Sequence, residues 1–169
     1  MIVAHWERQV LATALARQAA ARPDAEAVVI AGRRLTWAGL AREVGRMAAG
    51  LRALGIRHGD HVAVLMGNSL EWVTFFYAAA TVGAVTVPVN TRFKPDELGY
   101  CLKQADVKLL FLVDRFLKID FVDMLRAVCP GVDGKLPDPA LPLLAHVIVL
   151  GSDVPAGAMT LEAMLAAGA

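Results

Sequence analysis

The sequence predicts an α/β fold: a parallel, doubly wound sheet flanked by helices, with a helix and a β-hairpin leading into it. Four short segments are apolar on both faces, as strands inside a covered sheet are. These segments alternate with others whose apolar residues recur with helical spacing. Strands that alternate with helices form parallel sheets covered on both sides. A chain of 169 residues fits a single α/β domain spanning 1–169.

The first part of the chain predicts a helix, a hairpin and a second helix. Helix-forming residues occupy 6–21 and stop before Pro23, because the residue before a proline avoids helical geometry. Residues 26–31 and 34–36 flank a Gly-Arg pair and predict a small hairpin. Thr36 is suited to cap the helix that follows. The apolar face of that helix comprises Trp37, Leu40, Val44, Met47, Leu51 and Leu54.

The rest of the chain predicts alternating strands and helices. Ser69 and Thr160 are suited to cap helix N-termini, and Pro95 suits a first helical turn. The prolines, glycines and aspartates of 131–143 predict a loop excursion. The predicted strands are 61–66, 84–89, 107–113 and 146–150, and the predicted helices are 70–82, 95–105, 119–128 and 161–167.

Charge and hydropathy exclude several classes of partner. Lysine and arginine total 17 against 16 acidic residues, so the net charge of +1 offers no basic field for nucleic acid. The uncharged run 72–91 is long enough for a membrane span, but Gly83 and Pro88 interrupt it and predict a helix followed by a strand. No signal peptide is evident. Cys101 and Cys129 have no metal-type spacing, which predicts reduced thiols and a cytoplasmic location.

The common catalytic signatures are absent from this sequence. It contains neither a Walker phosphate loop nor a dinucleotide-binding glycine motif. The four histidines have no metal-ligand spacing, and neither Ser69 nor Ser152 lies in a nucleophile elbow. We therefore predict no catalytic residue and no metal site in this chain.

Binding residues are expected where the predicted strands end, because ligands of open α/β sheets bind beyond the carboxyl ends of the strands. Asn68, Asn90 and Arg92 are the candidate pocket-lining residues, and Arg92 is able to hold a phosphate or carboxylate with two hydrogen bonds. The other interpretation remains open, since asparagines form turns and an arginine in such a loop is often only solvated. The remaining strand-end residues are Ser69, Asp114, Arg115, Gly151 and Ser152.

Several motifs resemble those of a known enzyme family in both content and order. They are LTW at residues 35–37, GDHVAVLMGNS at 59–69, GAVTVPVNTR at 83–92 and PDEL at 95–98. Together they resemble the N-terminal region of adenylate-forming (AMP-forming) acyl-CoA synthetases, the AMP-dependent ligases. The resemblance extends from about Leu11 to Leu165. The motifs are similar to those of synthetases for fatty or related carboxylic acids.

The resemblance implies a reaction that this chain does not complete by itself. In the family, a carboxylate attacks ATP to form an acyl-adenylate, and coenzyme A then displaces AMP. The phosphate loop, later motifs and C-terminal lid that perform this chemistry with ATP, Mg²⁺ and CoA are absent here. We expect an inactive N-terminal scaffold and pocket wall, whose partner is the remainder of the ligase, with self-association through exposed apolar surface. The alternative is a stand-alone nucleotide- or acyl-binding or dimerisation module.

Overall fold

The computed structural model describes residues 10–169 and contains six helices and nine strands in that range. The predicted helix at 6–21 is observed from Leu11, and its first residues lie outside the described range. The elements in chain order are α1 (Leu11–Ala21), β1 (Glu26–Ile30), β2 (Arg33–Thr36), α2 (Trp37–Ala53), β3 (His61–Leu65), α3 (Leu70–Val82), β4 (Val85–Pro88), α4 (Pro95–Gln104), β5 (Val107–Val113), β6 (Arg115–Phe116), β7 (Ile119–Asp120), α5 (Phe121–Val128), β8 (His146–Leu150), β9 (Met159–Thr160) and α6 (Leu161–Ala167).

Five strands form one parallel sheet in the order β4–β3–β5–β8–β9. Alternate residues of each inner strand enter separate cores. On β3, Val62 and Val64 pack into one core and Ala63 and Leu65 into the other. Both faces of the sheet are therefore buried under helices, which confirms the predicted fold class.

The first core lies under α1, α2, α3 and α6. On α2 the predicted apolar face is confirmed: Leu40 and Leu51 are fully or almost fully buried, and Thr36 Oγ1 accepts a hydrogen bond from the Gly39 N–H at 3.1 Å. Helix α6 packs so closely on α2 that a Cβ on Gly50 would lie 2.7 Å from the Met164 carbonyl oxygen. A glycine at position 50 therefore permits this contact between helices.

The second core lies under α4 and α5. Leu98 and Leu102 of α4 and Phe121 and Leu125 of α5 are buried against the opposite face of the sheet. A Cβ on Gly99 would lie 3.2 Å from the Val128 side chain, so the two helices are in close contact there.

The uncharged run at residues 72–91 divides into a helix and a strand, as the sequence predicts. Helix α3 begins after Ser69, whose hydroxyl accepts a hydrogen bond from the Trp72 N–H at 3.0 Å. It ends at Gly83, which has a φ of +84° that favours glycine, and β4 follows. Among residues 10–169, no helix has the length and hydropathy needed to cross a bilayer.

The predicted helix at 119–128 begins two residues later than expected. Ile119 and Asp120 form β7, which pairs antiparallel with β6. The side chain of Asp120 then caps α5 by accepting a hydrogen bond from the Asp123 N–H at 2.9 Å. Within the loop excursion at 131–143 the backbone makes one short 3-10 turn at its start, Pro130–Asp133.

Charged and partly buried groups lie at the amino ends of the parallel strands. Lys108 of β5 donates hydrogen bonds to the Gly55 carbonyl at 3.0 Å and to Asp60 Oδ2 at 2.9 Å. The bond from Lys108 is the main reason that the pKa of Asp60 lies below its usual value. Burial lowers the pKa of His146, a backbone hydrogen bond with Leu54 opposes this effect, and the charge of Lys108 lowers the pKa further.

The lowered pKa of His146 predicts that the folded chain is destabilised in mild acid. The unfolded chain takes up this proton near pH 6.5, before the folded chain does, so the free energy of unfolding falls as pH decreases below that value. Urea unfolding at a series of pH values from 7.5 to 5 measures the loss. The variant His146→Gln should lose this part of the pH dependence, and an unchanged dependence would contradict the assignment.

Candidate binding site at the carboxyl edge of the sheet

The three candidate binding residues lie at the carboxyl edge of two paired strands. Asn68 follows β3, and Asn90 and Arg92 follow β4; all three are exposed. Because Val64 of β3 pairs with Pro88 of β4, the two loops leave the sheet side by side. The structure thus gives them a common edge, as expected for loops after adjacent parallel strands.

The loop after β4 is held by one of the candidate residues. Asn90 Oδ1 accepts a hydrogen bond from the Arg92 N–H at 2.9 Å, which is the turn that asparagine typically forms. The side-chain oxygen of Asn90 therefore already has a structural role in this turn. The side-chain amide nitrogen of Asn90 and the exposed guanidinium of Arg92 are two groups of this loop able to donate hydrogen bonds to an anionic ligand.

The loop after β3 lies against an aromatic ring from the β6–β7 hairpin. A Cβ on Gly67 would lie 2.7 Å from Phe116 Cζ, so a side chain at this position would displace the ring. Phe116 in turn stacks on Phe121, with ring centroids 6.3 Å apart. The hairpin therefore lies against the loop that contains Asn68.

In addition to the backbone pairing of β5 with β8, the carboxylate of Asp114 links the end of β5 to the loop after β8. It accepts hydrogen bonds from the N–H groups of Arg115 at 2.7 Å, Ser152 at 2.9 Å and Asp153 at 3.4 Å. Burial alone would raise the pKa of Asp114, but these hydrogen bonds outweigh it and lower the pKa. A carboxylate from the chain itself thus fills a pocket of backbone N–H groups. The sequence placed Asp114 at a strand end but had no signal for this role.

A cluster of three aspartates lies beside the same edge and was not identified from the sequence. Carboxylate oxygens of Asp120, Asp123 and Asp153 lie within 4.8 Å of one another. Asp120 pairs with Arg115 at 2.8 Å, and Arg126 pairs with Asp123 at 2.9 Å and with Asp153 at 3.1 Å. Two guanidinium groups already neutralise most of this charge, so the cluster is a poor fit for Mg²⁺, which needs free carboxylate oxygens.

Solved structures with the same architecture include CoA ligases. The anthranilate CoA ligase AuaEII, solved with anthranoyl-AMP, aligns with a TM-score of 0.80 and 25% identity, covering 94% of this chain and 28% of that one. A fatty acyl-CoA synthetase of Mycobacterium tuberculosis aligns with a TM-score of 0.74 and 28% identity, covering 95% of this chain and 28% of that one. The fold is therefore that of the N-terminal part of adenylate-forming CoA ligases.

The chain belongs to the family of AMP-binding enzymes, whose family model matches residues 15–159. The medium-chain acyl-CoA ligase ACSF2 of Bos taurus is 36% identical over 86% of this chain and 25% of its own length. The acyl-CoA ligase SID4 of Ajellomyces capsulatus is 39% identical over 68% of this chain and 20% of its own length. The chain thus spans about a quarter of the length of such relatives and corresponds to their N-terminal portion.

Proposed function

We propose that this chain is the N-terminal portion of an ATP-dependent, AMP-forming acyl-CoA ligase that acts on fatty or related carboxylic acids. One observation carries the proposal: the family match covers most of this chain but only about a quarter of the ligases it resembles. A chain with this relationship supplies part of an enzyme, here the scaffold and a wall of the binding pocket.

The reaction proposed for the complete ligase has two steps. A carboxylate oxygen of the acid attacks the α-phosphorus of ATP, forming the acyl-adenylate and releasing pyrophosphate. The thiol sulfur of CoA then attacks the acyl carbon, a proton leaves the thiol, and AMP departs with the former carboxylate oxygen. Asn68, Asn90 and Arg92 are proposed to line the pocket at the carboxyl edge, with the donors of Asn90 and Arg92 facing an anionic part of a substrate.

The groups that stabilise charge in this chemistry are assigned to the remainder of the ligase. Phosphoryl and acyl transfer need backbone N–H groups, a cation and Mg²⁺ around the phosphates. The only cluster of three acidic groups among residues 10–169 is already paired with Arg115 and Arg126. We therefore propose that this chain alone is inactive and that ATP, Mg²⁺ and CoA bind productively only when the rest of the ligase is present.

The proposal includes a cytoplasmic location and self-association of the chain. Cys101 and Cys129 are both free thiols, which supports a reducing compartment such as the cytoplasm, although the bovine relative carries the name mitochondrial. Apolar side chains remain exposed on several elements, Tyr100 and Leu117 among them, and support self-association of the chain when the remainder is lacking.

Calorimetric titration of the purified chain distinguishes this proposal from a stand-alone binding module. The chain alone is titrated with ATP plus Mg²⁺ and, separately, with a medium-chain acyl-CoA. We expect no saturable heat in either titration, with a cooperative thermal melt as the control for folding. Saturable binding of either ligand, weakened by Arg92→Ala, would favour the binding module instead.

A further inference from the structure

A cavity lies at the amino ends of β3 and β5, at the opposite end of the sheet from Asn68, Asn90 and Arg92. Its volume is about 400 Å³, which is within the range of about 300–1,000 Å³ typical of small-molecule pockets. Polar side chains from the strands form one wall, and apolar side chains from the excursion at 131–143 form the other. We call this feature the amino-end cavity.

Two charged groups of the polar wall neutralise each other. Lys108 donates hydrogen bonds to Asp60 Oδ2 at 2.9 Å and to the Gly55 carbonyl oxygen at 3.0 Å. Asp60 Oδ2 also accepts a hydrogen bond from the Arg57 N–H at 2.8 Å. An ammonium group has three donors, so one N–H of Lys108 and the Oδ1 atom of Asp60 are left for a ligand.

The carboxylate of Asp106 sets the net charge of the cavity. In the part of the chain that the structure describes, this carboxylate has neither a hydrogen bond nor an ion pair. Because Lys108 and Asp60 are paired, the cavity walls carry one unbalanced negative charge. Lys103 is exposed and lines a neighbouring, smaller cavity that shares Asp106. The amino-end cavity therefore attracts a cation and repels a carboxylate or a phosphate.

The polar wall offers more acceptors than donors, and they are spread out. The Nδ1–H of His61 donates a hydrogen bond to the Ala105 carbonyl oxygen, so Nε2 is the acceptor of the neutral ring. The free acceptors are Asp60 Oδ1, His61 Nε2 and the carboxylate of Asp106. Ligand atoms of these three residues do not all lie within 4.8 Å of one another.

This spacing distinguishes between kinds of cation. Acceptors that share a single ammonium nitrogen, each at about 2.8 Å, are about 4.6 Å apart, and the acceptors of this cavity are more widely spaced. A metal ion is excluded by the same spacing. A guanidinium group directs five N–H donors outward in one plane, and it therefore reaches acceptors that are farther apart.

The opposite wall of the cavity is apolar. Pro137, Pro142 and Leu143 contribute to it, and Leu143 is 53% exposed. All three belong to the excursion at 131–143, and long connections of this kind frequently carry binding functions. Covering these side chains with an alkyl group removes apolar surface from water, which is favourable.

We propose that the amino-end cavity binds an alkylguanidinium ion, with the guanidinium beside Asp106 and His61 and the alkyl chain against Pro142 and Leu143. The inference goes beyond the proposed function, because this cavity lies at the other end of the sheet from the proposed substrate pocket. It does not depend on the chain being part of a ligase.

Three probes with the same alkyl chain test the chemistry of the site. Butylguanidinium, butylammonium and butylurea are each titrated calorimetrically into the chain at millimolar concentrations and constant ionic strength. Butylammonium has the charge without the planar set of donors, and butylurea has the planar shape without the charge. We expect saturable binding of butylguanidinium, at least fivefold weaker binding of butylammonium, and no saturable binding of butylurea.

Variants locate the binding in the cavity. Asp106→Asn removes the unbalanced charge and should weaken binding of butylguanidinium at least fivefold. Asp106 has a φ of +48°, which asparagine also adopts readily, so the variant should keep the fold. Asp96→Asn is the matched control, because Asp96 is an exposed aspartate outside this cavity, and it should change binding less than twofold. Leu143→Ala removes part of the apolar wall and should weaken binding at least twofold.

Several outcomes would overturn this inference. Absence of saturable heat with butylguanidinium, while a cooperative thermal melt shows that the chain is folded, would refute the site. Equal affinity of the parent chain and Asp106→Asn would show that the cation binds elsewhere. Binding of butylurea as tight as that of butylguanidinium would show that the charge of Asp106 has no part in recognition. None of these outcomes bears on the proposed ligase function, which is tested separately.

Discussion

Leu51→Ala is expected to lower the free energy of unfolding by about 2–5 kcal/mol, the cost of removing a buried leucine side chain and leaving a cavity. Leu51 lies on the inner face of α2 and is 0% exposed. It belongs to the core that joins α2 and α3 to the sheet, where the backbone approach of α6 at Gly50 leaves little freedom to close the space. The loss should therefore be close to the full cost of a cavity.

Urea unfolding of the purified chain measures this loss, with Arg92→Ala as the matched control. Arg92 is exposed, and its hydrogen bond to Asn90 Oδ1 uses the backbone N–H of Arg92, which the variant keeps. Its replacement should change the free energy of unfolding by no more than about 0.5 kcal/mol. Equal losses in the two variants would show that the buried face of α2 is assigned wrongly.

Gly151→Ala is expected to cost about 2–4 kcal/mol, because it combines a steric clash with the loss of hydrogen bonds to a charged carboxylate. Gly151 has a φ of +154°, and a Cβ built on it would overlap the carboxylate of Asp114. The carboxylate would have to leave the N–H groups of Ser152 and Asp153. The loop after β8 would then lose its hydrogen bonds to the end of β5, although the backbone pairing of the two strands remains.

Gly45→Ala is the control for this second variant. Gly45 is exposed inside α2, and a Cβ there would have no atom within 4 Å. Its replacement should not lower the midpoint of unfolding, because alanine favours helical geometry over glycine by about 1 kcal/mol. If thermal unfolding shows similar midpoints for the two variants, the structural role given to Asp114 is wrong.

The strands and helices with strong periodicity could be predicted from the sequence because each follows a local rule. Helix α3 was predicted residue for residue, since Ser69 marks its start and Gly83 its end. Strand β5 was also predicted with its observed bounds, because seven consecutive residues suit a strand buried on both faces.

The short elements and the strand order could not be predicted in this way. Strands β6, β7 and β9 have two residues each, too few for a period to be recognised, so residues 119–120 were assigned to the following helix. Asp120 nevertheless carried a usable signal as a capping residue. The order of parallel strands depends on contacts between helices distant in sequence, such as the approach of α6 to Gly50, which no local pattern contains.

The common edge of the three candidate residues was predictable, and their role in binding stays a prediction. The topological rule for parallel sheets places Asn68, Asn90 and Arg92 at one edge, and the structure has them in adjacent loops. The ring of Phe116 over Gly67 and the carboxylate of Asp114 between β5 and β8 were not predicted. Both depend on side chains meeting across loops that are far apart in the sequence.

ATP–pyrophosphate exchange with and without the remainder of the ligase tests the central claim most directly. The folded chain alone, given Mg²⁺ and a series of short to long carboxylic acids, should catalyse no exchange. The same chain assembled with the remaining three quarters of the bovine relative should exchange pyrophosphate in an acid-dependent manner. Exchange by the chain alone would contradict the claim that it is one portion of a ligase and lacks the adenylation machinery.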